Sequence, residues 1–554
     1  MSGPIHRLTL GPIVGHTDHQ STRIWIRVRD DVSRYVLRVQ KRGLFNFEST
    51  EVGEPEFGTA VAVADGLRPD WEYQYQVLRK GRVIPNGRGT FRTMPPPGSF
   101  ADVLFVTISC SDSDREGAWK QLGDYIKQAK PRFLLMIGDQ VYLDQEDSKG
   151  GPVWPGHLYS PARRRRQAMA RKYEHHWSHD FIRTIMANIP TYMMWDDHEI
   201  HDGWGSWAFD SPTLAAEYPS GAEFAAACDA YFEDARDLYY HFQMSHNPPP
   251  PDALPLPPYG VRQGLPFVFR CGRLAVLVLD DRGDRDIWRA NNPVLGDRQW
   301  EFIEQTLGNL PADVDALAVV TPVPLTLMSP QSAGQLLLGD RADDVNLFKN
   351  GNAAALLELQ HAGEKSFLNV PGALAHLIVA DATQKVGARF NLHWGDLKIG
   401  DLDDIRDQWS HRASRPEQLR LLRAAALARL TNRVPSDPRG LVFLGGDFHA
   451  GGLFQLTFSD PEFTAQTLIS SGISKDVGGA TEKGGSGPDE PVGFTFDEDF
   501  EVAPGIRAVL QDYVPVFNFG ITHITFNGST PRIVNSVAHK GNAGHWTIRA
   551  GTFP

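Results

Sequence analysis

The sequence predicts a layered α/β fold with a small all-β module in front of it, and three observations predict it. From about residue 100, short and wholly apolar runs alternate with stretches of helical periodicity. Before residue 97, apolar and polar residues instead alternate by two. Several of the later apolar runs stop abruptly at an acid or a cysteine. Strands that are apolar along their whole length belong to a sheet covered on both faces, and the intervening helices supply the cover. At 554 residues the chain exceeds what one core holds, so two or more domains are expected.

Taken in order, Thr22-Arg-Ile-Trp-Ile-Arg-Val, Tyr35-Val-Leu-Arg-Val and Tyr73-Gln-Tyr-Gln-Val read as strands with one buried face. Asp65-Gly66, Lys80-Gly81 and Asn86-Gly87 read as turns, at the spacing of a β-sandwich. Met94-Pro-Pro-Pro-Gly-Ser reads as a linker, which divides the chain into a domain at 1–97 and a second at 98–554. The second opens with strand 102–108, helix 114–129, strand 132–138, helix 160–188 and strand 191–195. Leu274-Ala-Val-Leu-Val-Leu is a further buried strand. Helix 297–308, strand 315–320, helix 415–430 and strand 441–446 follow, then a strand-rich tail from 451. Stretches near 245–260 and 330–395 read as insertions. The first is Pro-rich, a stiff extended loop or a docking peptide; the second has weak periodicity. A Gly- and acid-rich stretch from Gly478 to Asp499 reads as a surface loop.

The net charge of −12 and the lack of a basic stripe argue against nucleic acid as a partner. Arg163-Arg164-Arg165-Arg166 is the one dense basic run, a solvated helix face or a phosphate-steering patch. No run of about 18 apolar residues predicts a membrane span. The first residues show neither a hydrophobic signal region nor a twin-Arg motif, so a cytoplasmic protein is expected. Three cysteines, Cys110, Cys228 and Cys271, do not make a disulfide framework. Nothing in the sequence sets an oligomeric state.

The chemistry gathers where strands end. Phe133-Leu-Leu-Met-Ile runs into Gly138-Asp139-Gln-Val-Tyr142, and Thr191-Tyr-Met-Met-Trp into Asp196-Asp197-His198-Glu199. Leu441-Val-Phe-Leu-Gly runs into Gly446-Asp447-Phe448-His449, and Asp102-Val-Leu-Phe-Val-Thr-Ile into Ser109-Cys110. The C-terminal edge of a sheet is where α/β folds hold ligands, so these four ends predict a metal site. Asp139 suits a carboxylate shared by two cations about 3.5–4 Å apart. Tyr142 can bring a phenolate, and Cys110 a thiolate, to one ion; Asp197 suits the second. Asp447 and His449, two apart in an extended segment, can reach one ion each. His198 stands a step out as a donor to the leaving oxygen, with Glu199 or Asp196 to orient it. His201 and Asp202 take no assigned role. Arg282, after Leu279-Asp280-Asp281, can grip a phosphate oxygen or serve a structural Arg–Asp pair. Sulfur, phenolate and imidazole together suit iron or zinc, and the acids suit calcium or manganese.

In this order the blocks resemble the PhoD-like branch of the calcineurin-like metallophosphatases. The superfamily pattern runs Asp-x-His, Gly-Asp-x-x, Gly-Asn-His-Asp/Glu, a lone His and Gly-His-x-His. Ser109-Cys110 stands for the first element, Gly138-Asp139 with Tyr142 for the second, Asp197-His198-Glu199 for the third and Gly446-Asp447-Phe448-His449 for the last. Cys, Tyr and the two Asp replacements are what the PhoD-like branch shows. Asp407-Gln-Trp-Ser-His411 and Leu468-Ile-Ser-Ser-Gly472 resemble blocks flanking its last motif. The resemblance implies a layered sandwich of two mixed sheets flanked by helices, preceded by a fibronectin-like β-sandwich ending near Phe91-Arg-Thr-Met-Pro.

It also implies hydrolysis of small phosphate esters, mono- or diesters, by a dinuclear centre of iron plus calcium. Cys110, Asp139, Tyr142 and His449 would then hold the iron-like ion, and Asp139, Asp197 and Asp447 the calcium-like one. The lone His has no counterpart in Ala318-Val-Val-Thr-Pro-Val-Pro, and His361, His376 and His393 lie well downstream. Two other readings use the same residues. The dinuclear scaffold can serve a different hydrolytic or biosynthetic reaction, or the metals can stabilise a binding protein without catalysis.

Overall fold

The computed structural model of the chain describes residues 8–50, 58–205, 221–249, 257–258, 260–286, 294–327, 407–411, 414–475, 499–540 and 546–550. Period-two alternation produces eight N-terminal strands: β1 (Leu10–Thr17), β2 (Thr22–Arg27), β3 (Tyr35–Val39), β4 (Gly43–Asn46), β5 (Glu48–Ser49), β6 (Thr59–Ala64), β7 (Glu72–Arg79) and β8 (Arg82–Arg92). They form two antiparallel sheets, ordered β1-β2-β6-β5 and β4-β3-β7-β8. Val14, Ile24 and Ile26 from one meet Leu37, Tyr75 and Val77 from the other in a common core.

Asn86-Gly87 is not a turn. β8 runs through it, and the register jumps from Gln76↔Arg88 to Leu78↔Val83, so the extra residues bulge out of a strand that continues. Asn86, at φ 60, tolerates the left-handed conformation this needs. The stretch read as a linker is also packed. Met94 is buried, its N–H donates to Asp18 O, and Pro95 O accepts from Gly272 N.

Two mixed sheets make the rest of the fold. In the first, β9 (Val103–Ile108), β10 (Leu134–Ile137) and β11 (Thr191–Met194) are parallel. β20 (Asn518–Asn527), β21 (Thr530–Lys540) and β22 (Trp546–Ala550) extend it antiparallel, in the order β11-β10-β9-β20-β21-β22. The second is ordered β12-β13-β14-β15-β17-β16-β19-β18. Its strands are β12 (Phe267–Cys271), β13 (Leu274–Val278), β14 (Ala316–Val320), β15 (Gly440–Gly445), β16 (Gly451–Ser459), β17 (Glu462–Ser470), β18 (Asp499–Ala503) and β19 (Ile506–Val514). β13, β14, β15 and β17 run parallel.

Alternate residues of the central strands divide between two cores, as a pleated strand requires. Val276, Ala318, Val442 and Leu444 join Phe105, Ile108 and Met136 of the first sheet. Leu277, Leu317, Val319 and Phe443 face the other way. That second face is covered by α5 (Gly296–Gly308) and α6 (Arg415–Ala428) through Trp300, Ile303, Leu421 and Leu422. α1 (Trp119–Ala129), α2 (Ala162–Trp177), α3 (Asp180–Met186) and α4 (Gly221–Phe242) pack into the first core. Mixed sheets buried on both faces are therefore present as expected.

Three readings change. The helix expected over 160–188 breaks at His179 (ψ 133), because Trp177 and Ile182, both buried, would lie about 140° apart on one continuous helix. The arginine run is only half solvated. Arg165 is buried against Asp234 of α4 (2.6 Å), with Arg166 nearby, while Arg163 and Arg164 are exposed. The stretch expected to loop out from residue 246 begins as an anchor: Asn247 accepts from Met193 N (3.0 Å) and donates to Met193 O (2.5 Å), satisfying the outer edge of β11. Its Pro-rich remainder at 250–256, the stretch 330–395 and the loop at 478–498 lie outside the described residues. No described helix is long and apolar enough to cross a membrane.

Candidate metal centre

Parallel strands put their C-terminal ends on one edge, and here two such edges meet. Cys110 follows β9, Asp139 follows β10, Asp196 and Asp197 follow β11, and Asp447 and His449 follow β15. Two glycines allow the approach. A Cβ on Gly446 would lie 2.6 Å from Ser109 Oγ and 2.8 Å from Ile137 O, so only a bare backbone lets β15 close on β9 and β10. Gly138, at φ +104, would place a Cβ 2.6 Å from the Asp196 Cβ.

Of the six residues expected to hold metal, Cys110, Asp139, Tyr142 and His449 form one group. The Cys110 thiol lies 3.4 Å from Asp139 Oδ2; the Tyr142 hydroxyl is 3.1 Å from the same oxygen and 3.4 Å from His449 Nε2. Potential ligand atoms of Cys110, Asp139 and His449 all lie within 4.8 Å of one another. The same holds for Asp139, Asp197 and His198, and for Asp196, Asp197 and Asp447. Asp139 and Asp197 thus each belong to two groups. The second expected set, Asp139, Asp197 and Asp447, is linked through these shared acids and does not close as a single triad among the described residues. Asp196 belongs beside Asp447, which the sequence reading did not assign, and His198 lies within the cluster rather than a step outside it.

Four of these residues also carry an uncommon backbone conformation. Cys110 (φ 59), Asp139 (φ 56), Asp447 (φ 69) and His449 (φ 53) all lie in the left-handed region. Such positions cost about 1–3 kcal/mol each and persist where the surroundings over-determine them, commonly at functional sites. Asp447 and His449 therefore do not share an extended segment; two left-handed residues aim them.

Burial decides the electrostatics. It holds Asp139 and Asp447 well above the usual carboxylate range, reinforced by neighbouring acids, and it raises the Cys110 thiol and the Tyr142 phenol, each helped by Asp139. Burial opposes ionisation of Asp197 too, but Arg282 and His198 outweigh it and hold the group at about 2. Burial, with Lys475 and His198 next, keeps His449 neutral. Asp139 Oδ1 is buried and accepts no hydrogen bond. Buried carboxylates, a thiol and a phenol that resist ionisation, beside a neutral imidazole and an orphaned oxygen, suit cations that would bind their deprotonated forms. The residues fit a metal centre.

The two residues expected to act on substrate sit differently from expectation. Arg282 is fully buried, with Nε on Asp196 Oδ1 (2.5 Å) and Nη1 on Asp407 Oδ2 (2.6 Å) and Trp204 O (3.0 Å). The structural Arg–Asp pairing is present at Nε and Nη1, while Nη2 has no hydrogen-bond partner among the described residues and stands 3.7 Å from Asp197. His198 is oriented by Asp144, 2.7 Å from Nδ1, and not by Asp196 or Glu199. Burial lowers its pKa, but Asp144, Asp197 and Asp139 raise it well above the ordinary value.

Glu199 instead ties the loops together, accepting from the N–H groups of Asp139, Gln140 and Asp196 and from Gln243 Nε2. His201 stacks on Trp154, with ring centroids 4.1 Å apart. Sequence reasoning missed Asp144 and Asp407. Asp144 lies two residues beyond Tyr142, and Asp407 opens the quoted block whose Trp409 donates to Val323 O (3.2 Å). The end of β14 carries no His, and His361, His376 and His393 lie outside the described residues.

Two mixed sheets meeting at a rim of buried acids, a thiol and imidazoles define a metal-binding α/β protein as a class. Within that class the chain belongs to the PhoD-like phosphatase family, whose model matches residues 105–500. The solved structure of PhoD shares the fold, with a TM-score of 0.56 at 16% identity over 100% of this chain and 94% of that one. A purple acid phosphatase, PPD1 from seeds of yellow lupin (Lupinus luteus), gives a TM-score of 0.47 at 11% identity, over 97% and 73% of the two chains. No curated protein matches the chain.

Proposed function

We propose that the chain hydrolyses small phosphate esters with a dinuclear metal centre. The observation that carries this reading is the convergence of Cys110, Asp139, Tyr142 and His449 on one point, with Asp197 reached through the shared Asp139. Cys110, Asp139, Tyr142 and His449 would hold the softer ion, iron or zinc. Asp139, Asp197 and Asp447, with Asp196 alongside, would hold a harder one, calcium or manganese. When bound, such a pair supplies a water acidified towards neutral pH and charge neutralisation at phosphorus.

The chain's own groups do the rest. His198, held at Nδ1 by Asp144, keeps Nε2 for a proton to the departing alkoxide. Arg282 touches no substrate on this reading: it offsets Asp196 and Asp407 and stands 3.7 Å from Asp197, which fixes the acids around the centre. On the same footing we read residues 1–97 as a fibronectin-like β-sandwich and 98–554 as the catalytic domain. The two four-stranded antiparallel sheets with a common core support the first part of that division.

Elemental analysis of protein purified without chelator, followed by a panel of phosphomonoesters and phosphodiesters, tests the proposal. About two metal atoms per chain are expected, with turnover that disappears on chelation and returns with metal. Full metal content with no phosphoester turnover would leave a metal-stabilised binding protein, and no metal at all would remove the site.

A further inference from the structure

Acids hold Nε and Nη1 of Arg282, and the described residues offer a further cation beside the centre. Lys475 follows the Leu468–Gly472 stretch and is only 3% exposed. Its ammonium sits 4.1 Å from the centre of the Tyr142 ring and donates to Gln145 Oε1 at 2.8 Å. That amide oxygen is its one hydrogen-bond acceptor among the described residues, and no described carboxylate pairs with it. Buried ammonium groups are ordinarily paired, because an unmatched charge in a low-dielectric setting is costly. Lys172, buried to a similar degree in the same protein, follows that rule: it lies 2.9 Å from Asp147. Lys475 departs from it, and does so beside the centre. The Tyr142 ring under it packs against the His198 imidazole (4.2 Å between centroids), and its hydroxyl reaches Asp139 and His449.

An ammonium with three donors that uses one on a neutral amide has two left for an anion. Gln145, which holds it, and Asp447 and His449 of the centre are half-buried rather than fully enclosed. We propose that Lys475 is the residue that binds the phosphoryl oxygens of the substrate, with Gln145 holding its ammonium in place and the Tyr142 face supporting it. A phosphate oxyanion would supply the counter-charge that the fold withholds, and the ester's organic part need not touch Lys475. The binding step is therefore common to different phosphate esters and to inorganic phosphate. This inference rests on the phosphoesterase reading above.

The test uses the metal-loaded full chain, with inorganic phosphate as the probe. Lys475→Met keeps the length and apolar stem of the side chain and removes the charge. Metal content and unfolding temperature should stay at wild-type values. The inhibition constant for phosphate and the KM for a phosphomonoester should each rise about 10–100-fold, the loss of one charge-assisted contact. The direct Kd for phosphate, measured by calorimetry, should weaken by the same factor, whereas kcat should change far less.

Lys475→Arg should recover most of the affinity. Lys475→Gln carries the same expectation where the Met variant does not fold. Gln145→Ala, which frees the ammonium without removing it, should weaken phosphate binding less than either. A folded, metal-replete Lys475→Met or Lys475→Gln protein that binds phosphate like the wild type overturns the inference. So does loss of metal in these variants, which would make Lys475 part of the metal shell. A wild-type protein that neither hydrolyses phosphoesters nor binds phosphate fails at the earlier reading instead, so the two failures are distinguishable.

Discussion

Asp139 is the residue on which the centre turns. It belongs to two of the three ligand groups, adopts a left-handed backbone at φ 56, and leaves Oδ1 without a donor. Asp139→Asn keeps the shape but offers a neutral amide where a shared anion is needed. It is expected to lose metal and activity together, read by elemental analysis alongside an assay of one phosphomonoester. His198→Ala should behave differently, retaining metal while turnover falls about 10²–10⁴-fold. Loss of the ions in that variant would instead make His198 a ligand, which its place beside Asp139 and Asp197 allows. At this scale the residue types were legible, because a carboxylate, a thiol or an imidazole ending an apolar strand has few bland uses. Their partners were not. Nothing in the sequence says that Arg282 turns towards Asp196 and Asp407, or that Asp144 holds His198, since those contacts span 86, 125 and 54 residues.

Elements carry the site through two close approaches, at Gly138 and at Gly446, and the second meets another strand's backbone. A Cβ there meets a side-chain oxygen of Ser109 and the backbone carbonyl of Ile137. The Ser109 hydroxyl can rotate away, but the carbonyl belongs to β10 and cannot move without the strand. Gly446→Ala should therefore lower stability by about 1–3 kcal/mol through overpacking. It should also weaken metal retention, because the end of β15 would stand off from β9 and β10. Calorimetric unfolding with and without metal separates the two effects: a variant destabilised equally in both states would mean that the site had not opened.

Strand identity was readable because β10, β13 and β14 are apolar throughout, which double-sided burial explains. Breaks and bulges were not, because they answer to tertiary packing. His179 interrupts a helical periodicity so that Trp177 and Ile182 can both be buried, and Asn86-Gly87 carries turn chemistry used inside a strand.

Across the molecule, the N-terminal sheets are joined to the α/β body through aromatic and imidazole packing. Trp25 lies against Trp177, Phe242 and His246 and donates to His241 O (2.8 Å); the His16 Nδ1 is 3.3 Å from the Tyr192 hydroxyl. Three of these histidines are held neutral. Burial lowers His16 to about 4, His241 to about 4 and His246 to about 3; Arg23 adds to this at His16 and His246, and Arg166 at His241. The unfolded chain protonates near 6.5, so it binds more protons than the folded one below that pH. Each group's contribution to stability is then complete above about 6.5 and lost as the pH falls towards the folded value.

Buried acids pull the other way. Asp234, raised to about 6 by burial, takes up its proton more readily when folded, so a single pH–stability curve mixes opposite signs. A difference between variants separates them. His16→Gln keeps a polar group near Tyr192 but cannot titrate. Its stability relative to the wild type should improve by about 2 kcal/mol between pH 7.5 and pH 5, as the wild type alone pays for keeping an imidazole neutral. Paired denaturant titrations at the two pH values measure this. A difference that does not change with pH would mean that acid reaches His16 in the folded state, and that the seam between the sheets and the body is open to water.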